Sequence, residues 1–251
     1  MLSETAARIA AALFFAVALP AAQAAEATVA VAANFAGPMA RIAAEFTATT
    51  GHTLKLSSGA TGKFYTQIVQ GAPFDVLLSA DDETPRRLVN EDHAVAGTAF
   101  TYAIGQLVLW SATPGLVDEQ GAVLGAATWR HLAIANPKVA PYGAAAMQVL
   151  QARGLADTLA PRLVTGESIA QAYQFVATGN AELGFVALSQ VAVPGQPAKG
   201  SMWRVPSALY GEIRQDAVLL KPGAQNPAAA ALLAYLKTAP ARALIEAHGY
   251  R

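Results

Sequence analysis

The residues Ser57-Ser58-Gly59-Ala60-Thr61-Gly62-Lys63 gather hydroxyls, glycines and one cation where the chain passes from a strand-like to a helix-like pattern. Thr53 to Ser57 alternates as a short strand does. Phe64, Tyr65, Ile68 and Val69 then recur at helical spacing until Gly71 and Pro73 end the run. A helix start leaves backbone N–H groups unpaired and carries the positive end of the helix dipole, so an oxyanion placed there gains several donors at once. Junctions of the same kind occur at Asn34, at Tyr142 and at Ser168-Ile169. Four such junctions, if they face one cleft, would hold a small anion with backbone N–H groups and the polar groups of Asn34 and Thr61. Fixed donors select by size and by the absence of a proton on the ligand.

Other chemistries fit less well. A nucleotide P-loop needs glycine at the first position of its pattern and Ser or Thr after the lysine, whereas this chain has Ser57 and Phe64 there. Four histidines, His52, His93, His131 and His248, show no ligand spacing, and there is no cysteine, so thiolate metal sites and disulfides are excluded. Seventeen basic and seventeen acidic residues cancel, which gives no electrostatic footprint for nucleic acid.

The elements that must position these junctions follow in order. Arg8, the apolar run from Ile9 to Leu19, Pro20 and the small-residue site Ala22-Gln23-Ala24 read as a cleaved secretory signal over residues 1–24. Its apolar run is too short to span a bilayer, so a soluble, exported chain is expected. Removing 24 of the 251 residues leaves 227, enough for two lobes with real cores. Thr28 to Ala32 reads as a buried strand, Gly37-Pro38 opens a helix that Gly51 stops, Asp75 to Ser79 reads as a strand and Pro85 to Asn90 as a helix. Two β-prone runs around Gly105 then lack a helix between them and mark a crossing into a second lobe.

In that second lobe Leu132 to Ala135 predicts a strand, Asn136 to Gly143 a loop and Ala144 to Ala152 a helix. Arg162 to Thr165 predicts another strand, with Ser168 capping a helix from Ile169 to Thr178. Leu183 to Leu188 reads as a buried strand, Val193 to Gly200 as a surface segment and Gln215 to Leu220 as a strand returning to the first lobe. Helices over Pro227 to Lys237 and Ala239 to Ala247 complete it. The expected lobes are 25–104 with 209–251, and 105–208. Strands alternating with helices predict mainly parallel α/β sheets, with ligands beyond the carboxyl ends of the strands.

The segments VAANFAGPM, SSGATGKFYTQIVQGAPFDVLLSAD, FTYAIGQLVLWSATPGLV, NPKVAPYG and ELGFVAL together resemble the periplasmic molybdate-binding proteins of the ModA type, the solute receptors of molybdate ABC importers. The resemblance implies a two-lobed periplasmic binding protein of type II, each lobe a mainly parallel sheet flanked by helices. It implies a monomer that holds molybdate or tungstate without metal or cofactor and passes it to a membrane permease, with no role for nucleic acid. By motif it assigns the backbone N–H and amide of Asn34, the hydroxyl and N–H of Thr61, and the N–H groups of Tyr142, Ile169 and Ala33. Some relatives carry a hydroxyl where Ala33 stands and others a Tyr where Ala187 stands, so this chain has fewer side-chain donors. Ser57 and Ser58 are expected only behind the residues that touch the ligand.

Two rival readings remain at this stage. One is a binding protein for sulfate, phosphate or a small organic acid. The other is a serine hydrolase, because Gly166-Glu167-Ser168-Ile169-Ala170 approximates a nucleophile elbow, with Asp216 and His248 following in the expected order.

Overall fold

The computed structural model describes residues 24–126, 128–192, 194–196 and 199–251. The predicted signal segment, save Ala24, and part of the Val193 to Gly200 segment lie outside them. In chain order the elements are β1 (Glu26–Ala32), α1 (Ala36–Thr50), β2 (Thr53–Gly59), α2 (Thr61–Val69), β3 (Val76–Leu78), α3 (Glu83–Asn90), β4 (Phe100–Gly105) and β5 (Leu107–Ser111). They continue as β6 (Leu132–Ala135), α4 (Pro141–Ala152), α5 (Ala156–Leu159), β7 (Leu163–Gly166), α6 (Ile169–Ala177), β8 (Leu183–Ala187), α7 (Leu188–Val191), β9 (Ser201–Arg204), β10 (Ile213–Leu219), α8 (Pro227–Tyr235) and α9 (Ala239–Ala247). Among the described residues no single helix is long and apolar enough to cross a membrane.

Two five-stranded sheets form, in the orders β2-β1-β3-β10-β4 and β7-β6-β8-β5-β9. In the first, β1 pairs parallel with β2 and β3, and β10 runs antiparallel to both β3 and β4. In the second, β6 pairs parallel with β7 and β8, and β5 runs antiparallel to β8 and β9. Each sheet therefore has a single reversed strand, β10 or β5, and is otherwise parallel. The chain first crosses from one sheet to the other through the single residue Gln106, since Gly105 pairs with Ile213 while Leu107 pairs with Ala187, and it returns between β9 and β10.

Register decides what shares an edge. Ala32 sits opposite Gly59 and Val31 opposite Leu78, so Ala33-Asn34, Ala60-Thr61 and Ser79-Ala80 leave one edge of the first sheet together. In the second sheet Ala135 sits opposite Gly166, which brings the turn before α4 beside Glu167-Ser168-Ile169.

Both faces of β1 are covered, as side chains that alternate along a strand demand. Val29 and Val31 pack with Met39, Ile42 and Phe46 of α1, while Ala30 packs with Phe64, Ile68 and Leu88 from α2 and α3. Full burial of a side chain such as Ile42 or Phe46 contributes about 1.5–3 kcal/mol, which fixes the helix starts against the sheet edge. Arg251 exchanges backbone bonds with Ile104, at 2.7 and 3.1 Å, and so ties the chain end to the crossing.

Three elements differ from expectation. β2 runs on through Ser57, Ser58 and Gly59, all paired with β1, so Ala60 alone separates it from α2 and the expected loop is a strand end. α4 begins at Pro141 rather than Ala144, because proline is at home in a first helical turn. β9 follows a Pro- and Gly-rich stretch that masks it in the sequence.

Candidate functional site

Ala33, Asn34, Thr61, Tyr142 and Ile169 line one small void between the two sheets, together with Ala32, Gly59, Ala60, Ala80, Ala140 and Pro141. The centre of a water-sized sphere can sweep about 10 Å³ there. Thr61 is the first residue of α2, Tyr142 the second of α4 and Ile169 the first of α6, so none of their N–H groups has an acceptor within its helix. Ala33 and Asn34 open a 3₁₀ turn with no side-chain cap. Among the described residues the N–H groups of Asn34, Thr61, Tyr142 and Ile169 meet no acceptor in the turns, loops and caps, whereas Ala33 N–H is spent: the parallel register that puts Thr53 N–H on Ala25 O and Ala32 opposite Gly59 directs it to Gly59 O, against the expectation for Ala33.

The helices themselves explain why the donors stay available. α2 and α4 follow Ala60 and Ala140, which offer no capping oxygen. α6 is capped by Ser168, as expected, but that hydroxyl accepts from Gln171 N–H at 3.4 Å and leaves Ile169 N–H alone. Buried helix starts without caps are costly unless something else fills them. Three dipole ends converge here, each equivalent to roughly half a positive charge, and an anion is the complementary occupant.

Side chains sharpen the picture. Thr61 Oγ1 accepts from Ala80 N–H at 3.0 Å, which leaves its own proton available to an occupant of the void. The Asn34 amide behaves otherwise: both its hydrogens are committed, to Gln215 Oε1 at 2.8 Å and to the Tyr250 hydroxyl at 3.0 Å. Asn34 thus presents its backbone N–H, not the amide nitrogen expected from the motif. The Tyr142 hydroxyl accepts from Gln215 Nε2 at 3.1 Å and points away from the backbone donor. Burial holds the phenols of Tyr102, Tyr142 and Tyr250 well above their ordinary value, so they stay neutral hydrogen-bonding groups beside a site built for negative charge.

Lys63, the cation nearest the opening loop, pairs with Glu167 of the facing sheet's edge. It spans the cleft outside the void rather than entering it. One residue earlier, Gly62 N–H donates to Val139 O at 2.9 Å, a second contact between the lobes. A wider groove of about 640 Å³ opens alongside, but Asp81, Asp82, Glu83 and Glu212 stand among its walls. Arg87, Lys138 and Arg214 share those walls, so the groove is mixed in charge and far wider than a small oxyanion needs. Among the described residues no cluster of three or more His, Asp or Glu side chains could hold a metal ion.

A family profile described as bacterial extracellular solute-binding protein matches residues 27–251. The molybdate-binding protein ModA of Azotobacter vinelandii is 61% identical over 92% of this chain and 91% of its own length. ModA of Rhodobacter capsulatus is 56% identical over 95% of this chain and 93% of its own. The solved periplasmic molybdate-binding protein of Azotobacter vinelandii superposes with a TM-score of 0.88, at 46% identity, covering 90% of this chain and 98% of that one.

The chain belongs to the ModA family of solute-binding proteins.

ModA-family relatives are binding proteins, and the residues of the hydrolase reading sit apart. Ser168 caps α6, Asp216 accepts from Thr101 Oγ1 at 2.7 Å, and His248 Nδ1 meets Leu244 O at 2.8 Å. None of the three contacts another. Ser57 and Ser58 lie in β2 and do not line the void. Ala187 is buried and its N–H donates to Gln190 Oε1 at 3.0 Å; the Gln190 amide in turn donates to Ile169 O at 3.2 Å and steadies that helix start. Gln215, Ser189 and Tyr250 escaped sequence reasoning. Each meets Asn34 across more than a hundred residues of chain, and no local pattern announces such a partner.

Proposed function

We propose that the chain binds molybdate, and tungstate as its near isostere, in the void between the lobes and delivers it to the permease of an ABC importer. The observation that carries this is the set of four helix-start N–H groups, of Asn34, Thr61, Tyr142 and Ile169, with the Thr61 hydroxyl, around one enclosed space that no cation among the described residues lines. Charge-assisted bonds contribute roughly 1.5–3 kcal/mol each, so the four N–H groups and the hydroxyl together work against the dehydration cost of a dianion. A site made of donors favours a fully ionised ligand, and its small size leaves no room for a carbon skeleton.

The lobes of this reading are residues 25–104 with 209–251, and 105–208, hinged where Gln106 and the β9–β10 connection cross. The signal over residues 1–24 would place the chain in the periplasm, where it acts as a monomer without cofactor or nucleic acid. Its test is the thermal midpoint with excess molybdate, tungstate, sulfate or phosphate. A ligand at about 100 times its Kd stabilises by about 2.7 kcal/mol, a rise of roughly 5–10 °C for a chain of this size. Molybdate and tungstate are expected to raise it and sulfate and phosphate not. A rise with sulfate or phosphate alone would keep the architecture and overturn the ligand.

A further inference from the structure

Gln215 is fully buried, at 0% exposure, in the middle of the reversed strand β10, beside a register shift between Gln215 and Asp216. Its side chain is used at both ends. Oε1 accepts from Asn34 Nδ2 at 2.8 Å and from the Tyr102 hydroxyl at 3.0 Å, and Nε2 donates to the Tyr142 hydroxyl at 3.1 Å. Asn34 supplies a donor from the first lobe and Tyr142 one from the second. One amide therefore joins the two halves of the site directly. The space around this link admits no addition, since a Cβ at Gly105 would lie 2.2 Å from the Tyr142 hydroxyl and 2.6 Å from Gln215 Nε2. Gly105 is also the last residue before the crossing at Gln106, so the link stands at the hinge.

From this geometry we propose that Gln215 is the positioning residue that sets the spacing between the donors of the two lobes, and through it the size of oxyanion accepted. The proposal rests on the oxyanion-binding reading above. Gln215 touches no ligand; it acts through Asn34 and Tyr142. Thr61 and Ile169 are held by Ala80 and Gln190 instead, so their donors do not depend on it.

The experiment compares wild type with Gln215→Met, which keeps the side-chain length and removes both hydrogen-bonding ends, by titration calorimetry with molybdate and with sulfate. Wild type must bind molybdate; if it does not, the functional reading fails before this one is tested. The variant is expected to bind molybdate at least tenfold more weakly and to narrow the molybdate-to-sulfate preference severalfold. The amide-proton NMR shifts of Asn34 and Tyr142 in the loaded protein should move while those of Thr61 and Ile169 hold. A merely structural role would lower the thermal midpoint without changing the preference. Should Gln215→Met not fold, Tyr142→Phe breaks the same link while keeping the backbone donor and is expected to narrow the preference too. An unchanged preference in a folded variant overturns the proposal.

Discussion

Gly62→Ala should move stability and affinity in opposite directions. Gly62 is the second residue of α2, where alanine is favoured over glycine by up to about 0.5–1 kcal/mol. With the lobes apart nothing opposes that gain, so the ligand-free midpoint should rise by roughly 1–4 °C for a chain of this size. With the lobes together, the new Cβ would lie 3.0 Å from Val139 Cα, 3.1 Å from its Cβ and 3.2 Å from its carbonyl oxygen. Backbone on both sides leaves little to yield, and the lobes must part by a few tenths of an ångström. That lengthens the 2.9 Å bond from Gly62 N–H to Val139 O, whose loss costs about 0.5–1.5 kcal/mol, and loosens the neighbouring donors. Molybdate affinity should fall about 5- to 30-fold, read by calorimetry beside a thermal scan of the empty protein. An affinity within twofold of wild type would show that the contact between Gly62 and Val139 takes no part in closure.

Thr61→Ala should weaken molybdate binding by about 1–3 kcal/mol through loss of a donor, and should also lower the ligand-free midpoint because Ala80 N–H loses its acceptor; Thr61→Ser should restore both, and failure to do so would remove the hydroxyl from the argument. Replacing Lys63 or Glu167 should change affinity less than about fivefold and only at low salt, since both side chains are largely exposed, at 49% and 65%; a loss of a hundredfold would place Lys63 on the ligand. The buried phenols bear on alkaline stability. Their native pKa values are raised by burial above the unfolded value of about 10, so the folded chain keeps protons that the unfolded chain releases. The stability they contribute is complete below about pH 10 and is lost as pH rises through the raised values. The midpoint should therefore fall above pH 10, and less steeply in Tyr250→Phe; an equal slope would contradict the assignment for Tyr250.

The sequence disclosed what is local. Helix starts after short strands are marked by small residues and by proline or hydroxyl neighbours, which is why Asn34, Thr61, Tyr142 and Ile169 could be named, and why all of them fall on one void. Where a strand stops is less visible: Ser57 and Ser58 look like loop residues but complete the pairing of β2 with β1, because tertiary pairing overrides a polar composition. What lies behind the site was not legible at all. The Asn34 carbonyl accepts from Ser189 at 2.8 Å and from Tyr250 at 2.9 Å, and Gln215 ties Asn34 to Tyr142. These partners come from three distant segments, and only the fold brings them together. Tyr142 illustrates the limit well, since its backbone could be read from the helix start while the use of its hydroxyl depends on β10.

The most direct test of the central claim is a crystal structure of the mature protein grown with molybdate, with diffraction recorded on either side of the molybdenum absorption edge. The account predicts one anomalous peak beside Ala33, enclosed by the N–H groups of Asn34, Thr61, Tyr142 and Ile169 and the Thr61 hydroxyl, with Lys63 still paired to Glu167. A peak in the wider groove alongside, or one held by Lys63 with those four N–H groups facing elsewhere, would contradict it.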